Sequence, residues 1–109
     1  MSEFWLLLGW MLAAHALCDY ALQGDFMAKA KNRANPIPGV PWYQPMGAHA
    51  LIHGAAVGLI TGNALVAGWE AITHFWIDDS KCVGRFGYNT DQALHVACKV
   101  AWALIVVNA

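Results

Sequence analysis

The chain has 109 residues, of which 59% are hydrophobic and 12% charged, about half the charged share usual in a soluble domain. A formal net charge of −1 argues against a nucleic-acid binder held by phosphate contacts, and the length leaves no room for a catalytic domain joined to a separate binding module. Three cysteines with no C-x-x-C spacing exclude a fully paired disulfide framework.

The composition therefore predicts an all-α, single integral membrane domain over 1–109, with four transmembrane helices running up-down-up-down. The first helix is expected at about 3–23, with Ser2 as its N-cap and Gly24 as its end. About 20 residues rise about 30 Å, enough to cross the hydrocarbon. The leader carries Glu3 and no Lys or Arg. A secretory signal opens with positive charge, so this segment reads as a membrane helix rather than a signal peptide.

Asp25 can cap a short amphipathic helix, Phe26 to Lys31, lying along the interface. The stretch from Asn35 to Pro41 holds three prolines and cannot be helical. Trp42 and Tyr43 follow, at a level suited to lipid headgroups. A second membrane helix is predicted at 46–61, where Gly54, Gly58 and Gly62 stand four apart and let a neighbour approach closely. A third is predicted at 64–81. A fourth, at 91–108, is predicted to start from Thr90 as N-cap.

All five histidines stand four residues from another histidine or an aspartate. The pairs are His15 with Asp19, His49 with His53, His74 with Asp78, and Asp91 with His95. Residues at i and i+4 share a helix face. An ionisable group at membrane depth is costly, about 2.5–3.5 kcal/mol for Asp on insertion scales, and marks a functional position. Alternating helix directions bring all four pairs to one membrane face. Asp19, His49, Asp78 and Asp91 then form an outer level, with His15, His53, His74 and His95 one turn deeper.

That outline is a dinuclear site for divalent transition metal, with zinc first and iron or manganese as alternatives. The bland alternative is interhelical His–Asp bonding without metal. Gln23, Glu70 and Gln92 are placed to orient ligands. Lys99 can neutralise charge beneath the site or extend toward the interface. Cys18 and Cys98 read as small packers, Asp79 as a solvated helix-end charge and Tyr20 as an interface residue.

Lys29, Lys31, Arg33, Lys81 and Arg85 are five of the six basic residues, all in the first and third connections. The positive-inside rule then places the site at the cytoplasmic face of a bacterial inner membrane, with both termini outside. Lys29, Lys31, Lys81 and Arg85 are candidates for drawing an anionic lipid or phosphoester; the same charges would also hold the helices against anionic headgroups.

The ordered motifs His15-x3-Asp19-Tyr20-x2-Gln23, Met27-Ala28-x2-Lys31, His49-x3-His53, His74-Phe75-x-Ile77-Asp78-x2-Lys81 and Asp91-Gln92-x2-His95 resemble a family of small bacterial and phage inner-membrane proteins classed as a domain of unknown function. The resemblance implies the membrane placement and the shared polar positions, and no reaction. The Asn35–Pro45 link looks longer than is usual in that family. A weaker likeness is to membrane-bound metal-dependent hydrolases.

Three functional expectations follow. One is a hydrolase of a phosphoester or ester at the membrane interface, in which Asp19, Asp78 and Asp91 take catalytic roles. Another is a di-iron membrane oxidase. The third is a non-enzymatic phage or bacterial membrane protein whose metal fastens four helices. Partners are the lipid bilayer and an anionic lipid or phosphoester, with no nucleic acid.

Overall fold

The run Ser2–Ala16 contains no Pro and is rich in Leu, Ala, Met and Trp, and it forms α1. The computed structural model describes residues 2–109, of which Ser2 is described in its backbone alone. The Ser2 capping side chain lies outside that description. α1 runs on through a π turn, Leu17–Ala21, closed by the Leu22 N–H donating to the Leu17 carbonyl at 2.9 Å. An i→i+5 closure takes one residue more than an α turn. It ends the long helix before the expected Gln23.

The short helix α2, Gly24–Ala30, follows, with Asp25 in its first turn rather than at its cap. α3 spans Tyr43–Thr61 and starts earlier than the predicted residue 46. Pro45 falls in its first turn, where an N–H has no intrahelical partner to lose. Gly62 ends α3 at φ +66°, a left-handed conformation suited to glycine, with its N–H on the Gly58 carbonyl at 2.8 Å. The Asn63 side chain then accepts from the Val66 N–H at 3.0 Å and starts α4, Ala64–Cys82.

α5 runs Tyr88–Val107 and takes extended Gly87, not Thr90, as its N-cap. The first turn is already closed there by the Asp91 N–H donating to the Gly87 carbonyl at 3.0 Å, so Thr90 lies inside the helix. Among the described residues the protein is all-helical.

α1 packs on α3 and α5, α4 packs on the same two, and α2 rests on α3. The bundle measures 47 × 23 × 22 Å. α3 and α4 come closest. A Cβ on Gly54 would stand 2.8 Å from the Ala67 carbonyl oxygen and 2.9 Å from the Ala71 Cβ. Leu8, Met11, Val57, Val66, Trp102 and Ala103 form an apolar core.

Beyond that core many buried side chains are ionisable, while many large apolar ones are exposed. His49, His53, His74, His95, Glu70, Asp91 and Lys99 are each 2% exposed or less, whereas Leu59 is 89% and Leu65 71% exposed. Two helical stretches, Glu3–Ala21 and Tyr88–Val107, are long and apolar enough to cross a membrane. The inward-facing polar residues of α3 and α4 dilute the apolar content of those two helices.

Candidate metal centre

The five imidazoles and Asp19 converge where four helices meet. His53 and His74 stack with ring centroids 3.7 Å apart, His74 and His95 at 4.2 Å, and His15 lies 5.0 Å from His95. Asp19 is drawn in by the π turn and reaches all sides of the cluster. Its Oδ1 accepts from His49 Nε2 at 3.1 Å and stands 3.2 Å from His53 Nε2. Its Oδ2 accepts from Gln92 Nε2 at 3.0 Å and lies 3.5 Å from His15 Nε2. The four deeper imidazoles close a ring, with His15 and His53 at 5.2 Å, and Asp19 lies against it, its Oδ1 standing 3.8 Å from His74 Nε2.

The donor set suits a metal ion. Asp19, His49, His53 and His74 each offer an atom within 4.8 Å of the others', and so do His15, His74 and His95, and Asp19, Asp91 and His95. Buried His53 Nε2, His74 Nε2, His95 Nε2 and Asp91 Oδ1 have no hydrogen-bond partner. Orphaned buried polar atoms are costly and uncommon. A cation among them would satisfy several at once. His15 fits the same pattern. Its Nε2 donates to Gln92 Oε1 at 3.0 Å, which leaves the unpartnered Nδ1 as its free lone pair.

Around this set lies a ring of orienting groups. Glu70 Oε2 stands 3.3 Å from His74 Nδ1 and accepts from Lys99 Nζ at 2.9 Å. Trp102 Nε1, which the sequence reading missed, donates to Glu70 Oε1 at 2.9 Å. Gln92 Nε2 also donates to Asp91 Oδ2 at 3.1 Å. Gln23 donates to the Asp19 carbonyl at 3.3 Å and accepts from the Lys31 ammonium, so it braces the π turn rather than a ligand's side chain.

Several residues have other roles than those expected. Asp78 joins none of the three converging groups. It is 3.5 Å from His49 Nε2, and its Oδ2 accepts from Lys31 Nζ at 2.6 Å. Lys31 is buried in that pair and is not available to an external anion. Asp79 is buried rather than solvated, and it accepts from Arg33 Nε at 2.8 Å and Nη2 at 3.1 Å. That carboxylate raises the Arg33 pKa above its ordinary value.

Lys81 lies over the Tyr88 ring, and Arg85 donates to Ser80 Oγ at 3.0 Å. Lys29 is exposed. The Tyr20 and Tyr88 hydroxyls meet, joining the π turn to the start of α5. Cys18, Cys82 and Cys98 are free and belong to none of the converging groups.

Residues 7–109 match the family described as "Protein of unknown function (DUF3307)". No curated protein and no solved structure matches the chain.

Proposed function

The chain belongs to that family of unknown function, and we propose that it is a multi-pass membrane metalloprotein hydrolysing a phosphoester or ester at the membrane interface. Its centre would hold two divalent transition-metal ions, zinc first, through His15, Asp19, His49, His53, His74, Asp91 and His95. The carrying observation is the set of buried, unpartnered ring nitrogens and the Asp91 oxygen turned toward one place.

The inside-out distribution of polarity supports four crossings, because α3 and α4 turn their ionisable residues inward and leave Leu51, Leu59, Ile72 and Trp76 outside. The basic residues gathered at the polar end support a cytoplasmic site in a bacterial inner membrane, with both termini outside.

When bound, such ions polarise a phosphoryl or acyl oxygen and lower the pKa of water. The chain's own groups supply the rest. Asp19, with its side chain 11% exposed, is the most open of the carboxylates in the converging groups. Gln92 fixes Asp19, Asp91 and His15 relative to one another. Lys29, Lys81 and Arg85 remain at or near the surface of this end and would draw an anionic headgroup.

The test is elemental analysis of the detergent-purified protein, followed by assay of the metal-loaded chain on phosphodiester, phospholipid and ester substrates. Metal in stoichiometric amount with turnover of one class is the expected result. Absence of metal overturns the reading. Near-complete burial of His49, His53, His74 and His95 favours a second reading, a metal that only fastens the helices, since structural sites are closed. Metal without turnover selects it.

A further inference from the structure

Lys31 brings an ammonium into the polar interior from outside the four long helices. It is 4% exposed. Its Nζ lies 2.6 Å from Asp78 Oδ2 and also donates to Gln23 Oε1. The placement is fixed from both sides along the chain. The Lys31 N–H closes the last turn of α2 on the Met27 carbonyl at 3.2 Å. Two residues later, Arg33 grips Asp79 through two nitrogens and lies over the Trp42 ring. The neighbouring carboxylates Asp78 and Asp79 thus receive the alternate cations of Lys31-x-Arg33, which anchors the segment after α2 on α4.

Charge accounting gives this pair a further meaning. Asp19, Asp78, Asp91 and Glu70 bring four carboxylates to the cluster. Lys31 covers Asp78 and Lys99 covers Glu70. Asp19 and Asp91 are left without a lysine or arginine partner, and these are the two carboxylates in the converging groups. Asp78 is close enough to join them, with Oδ2 3.5 Å from His49 Nε2 and 4.0 Å from His74 Nε2. Unlike Asp19, it carries an ammonium on that oxygen.

We propose that Lys31 is a resident cation that competes with metal for Asp78, keeping this carboxylate out of the ligand set and leaving the centre one protein oxygen short. Two cations cannot share one carboxylate oxygen without repulsion at low local dielectric. Binding of either therefore lowers the affinity of the other, by linkage. A ligand set left incomplete by Lys31 keeps a position for water or substrate, the property that separates catalytic from structural sites. The inference rests on the metal-centre reading above.

The experiment is zinc titration of the full-length protein in detergent against a competing chelator, with thermal unfolding measured with and without zinc. Zinc suits the test even if iron or manganese is the native ion, since it binds nitrogen and oxygen sites at least as tightly as they do. Lys31→Met is expected to bind zinc about tenfold tighter than wild type, the lower end of what ligand-orienting neighbours contribute. Lys31→Met/Asp78→Asn should lose that gain. Asp78→Asn alone leaves the buried Lys31 ammonium without its carboxylate, so it should bind zinc no tighter than wild type.

A Lys31→Met protein binding zinc no tighter than wild type overturns the inference, and so does a Lys31→Met/Asp78→Asn protein that keeps the gain. If Lys31→Met does not fold, Lys31→Gln, which is neutral and can still donate to Asp78, is read in its place with the same expectations. A wild-type chain that takes up no zinc overturns the metal-centre reading and this inference together. A wild type that binds zinc beside an unimproved Lys31→Met overturns this inference only.

Discussion

Lys99 on α5 and Glu70 on α4 form an ion pair of 2.9 Å in which each side chain is 1% exposed. The pair sits between the apolar core and the histidine cluster. Trp102, from the core side, and His74, from the histidine cluster, both address the same carboxylate. Removing one member of a buried pair leaves an uncompensated charge and costs about 3–5 kcal/mol, whereas exposed pairs contribute about 1 kcal/mol or less. Lys99→Met should therefore lower stability by roughly 3–5 kcal/mol. Adding Glu70→Gln, whose amide oxygen can still accept from Trp102, should recover part of the loss. Denaturant unfolding in detergent measures both. A loss under about 1 kcal/mol for Lys99→Met would show that the pair is solvated.

Helix-period counting found the four ionisable pairs and the polar end of the bundle, because i,i+4 spacing is a local property of the chain. It did not find the π turn at Leu17–Ala21. Nor did it find the partners of Asp78 and Asp79. Lys31 and Arg33 lie 47 and 46 residues away, and nothing local distinguishes a lysine bound inside the protein from one facing headgroups. Trp102 escaped notice for a related reason. Its indole N–H has meaning only once Glu70 is opposite. The start of α5 was misplaced because Thr90 is a strong capping residue, yet extended Gly87 closes the first turn earlier.

The α3–α4 contact gives a packing prediction. Gly54 faces Ala67 and Ala71 so closely that a Cβ would stand 2.8 Å from backbone, whereas nothing lies within 4 Å of a Cβ on Gly68. Overpacking of this kind costs about 1–3 kcal/mol. Gly54→Ala should lower the unfolding midpoint and Gly68→Ala should leave it level or raise it slightly. Equal effects at the two positions would place the helices farther apart than the structure has them.

Topology is tested by reporter fusions. Basic residues concentrate in the connections at the polar end, and Lys and Arg near helix ends set orientation regardless of their salt-bridge partners. A fusion at Ala109 should report the outside and one in the loop around Arg85 the cytoplasm. Both fusions on the same side would exclude α5 as a crossing helix. Exchanged sides would put the histidine cluster at the outer face.

Asp91 is the residue whose change best separates catalysis from fastening. It lies in the first turn of α5, where the helix dipole favours a negative charge. Its Oδ2 accepts from Gln92 Nε2 at 3.1 Å, and its Oδ1 is buried, unpartnered and 3.4 Å from His95 Nε2. Asp91→Asn keeps the shape and removes the charge that Asp91 offers to the centre. Asp19, His49, His53 and His74 remain as one complete group, so the variant should stay folded and retain metal there. His53→Ala, which breaks that group, should lose metal and thermal stability together, since metal bound only by the folded state stabilises it. If the centre is hydrolytic, Asp91→Asn should lower kcat by about a hundredfold or more, on the scale of lost general acid–base assistance. Side-by-side assays of wild type and Asp91→Asn on phosphodiester, phospholipid and ester substrates, across a series of metal concentrations, measure this. Undiminished turnover in Asp91→Asn removes Asp91 from the catalytic group. A metal-loaded wild type that hydrolyses none of the three leaves the fastening role in its place, unless the metal is iron and oxygen is consumed, which selects an oxidase.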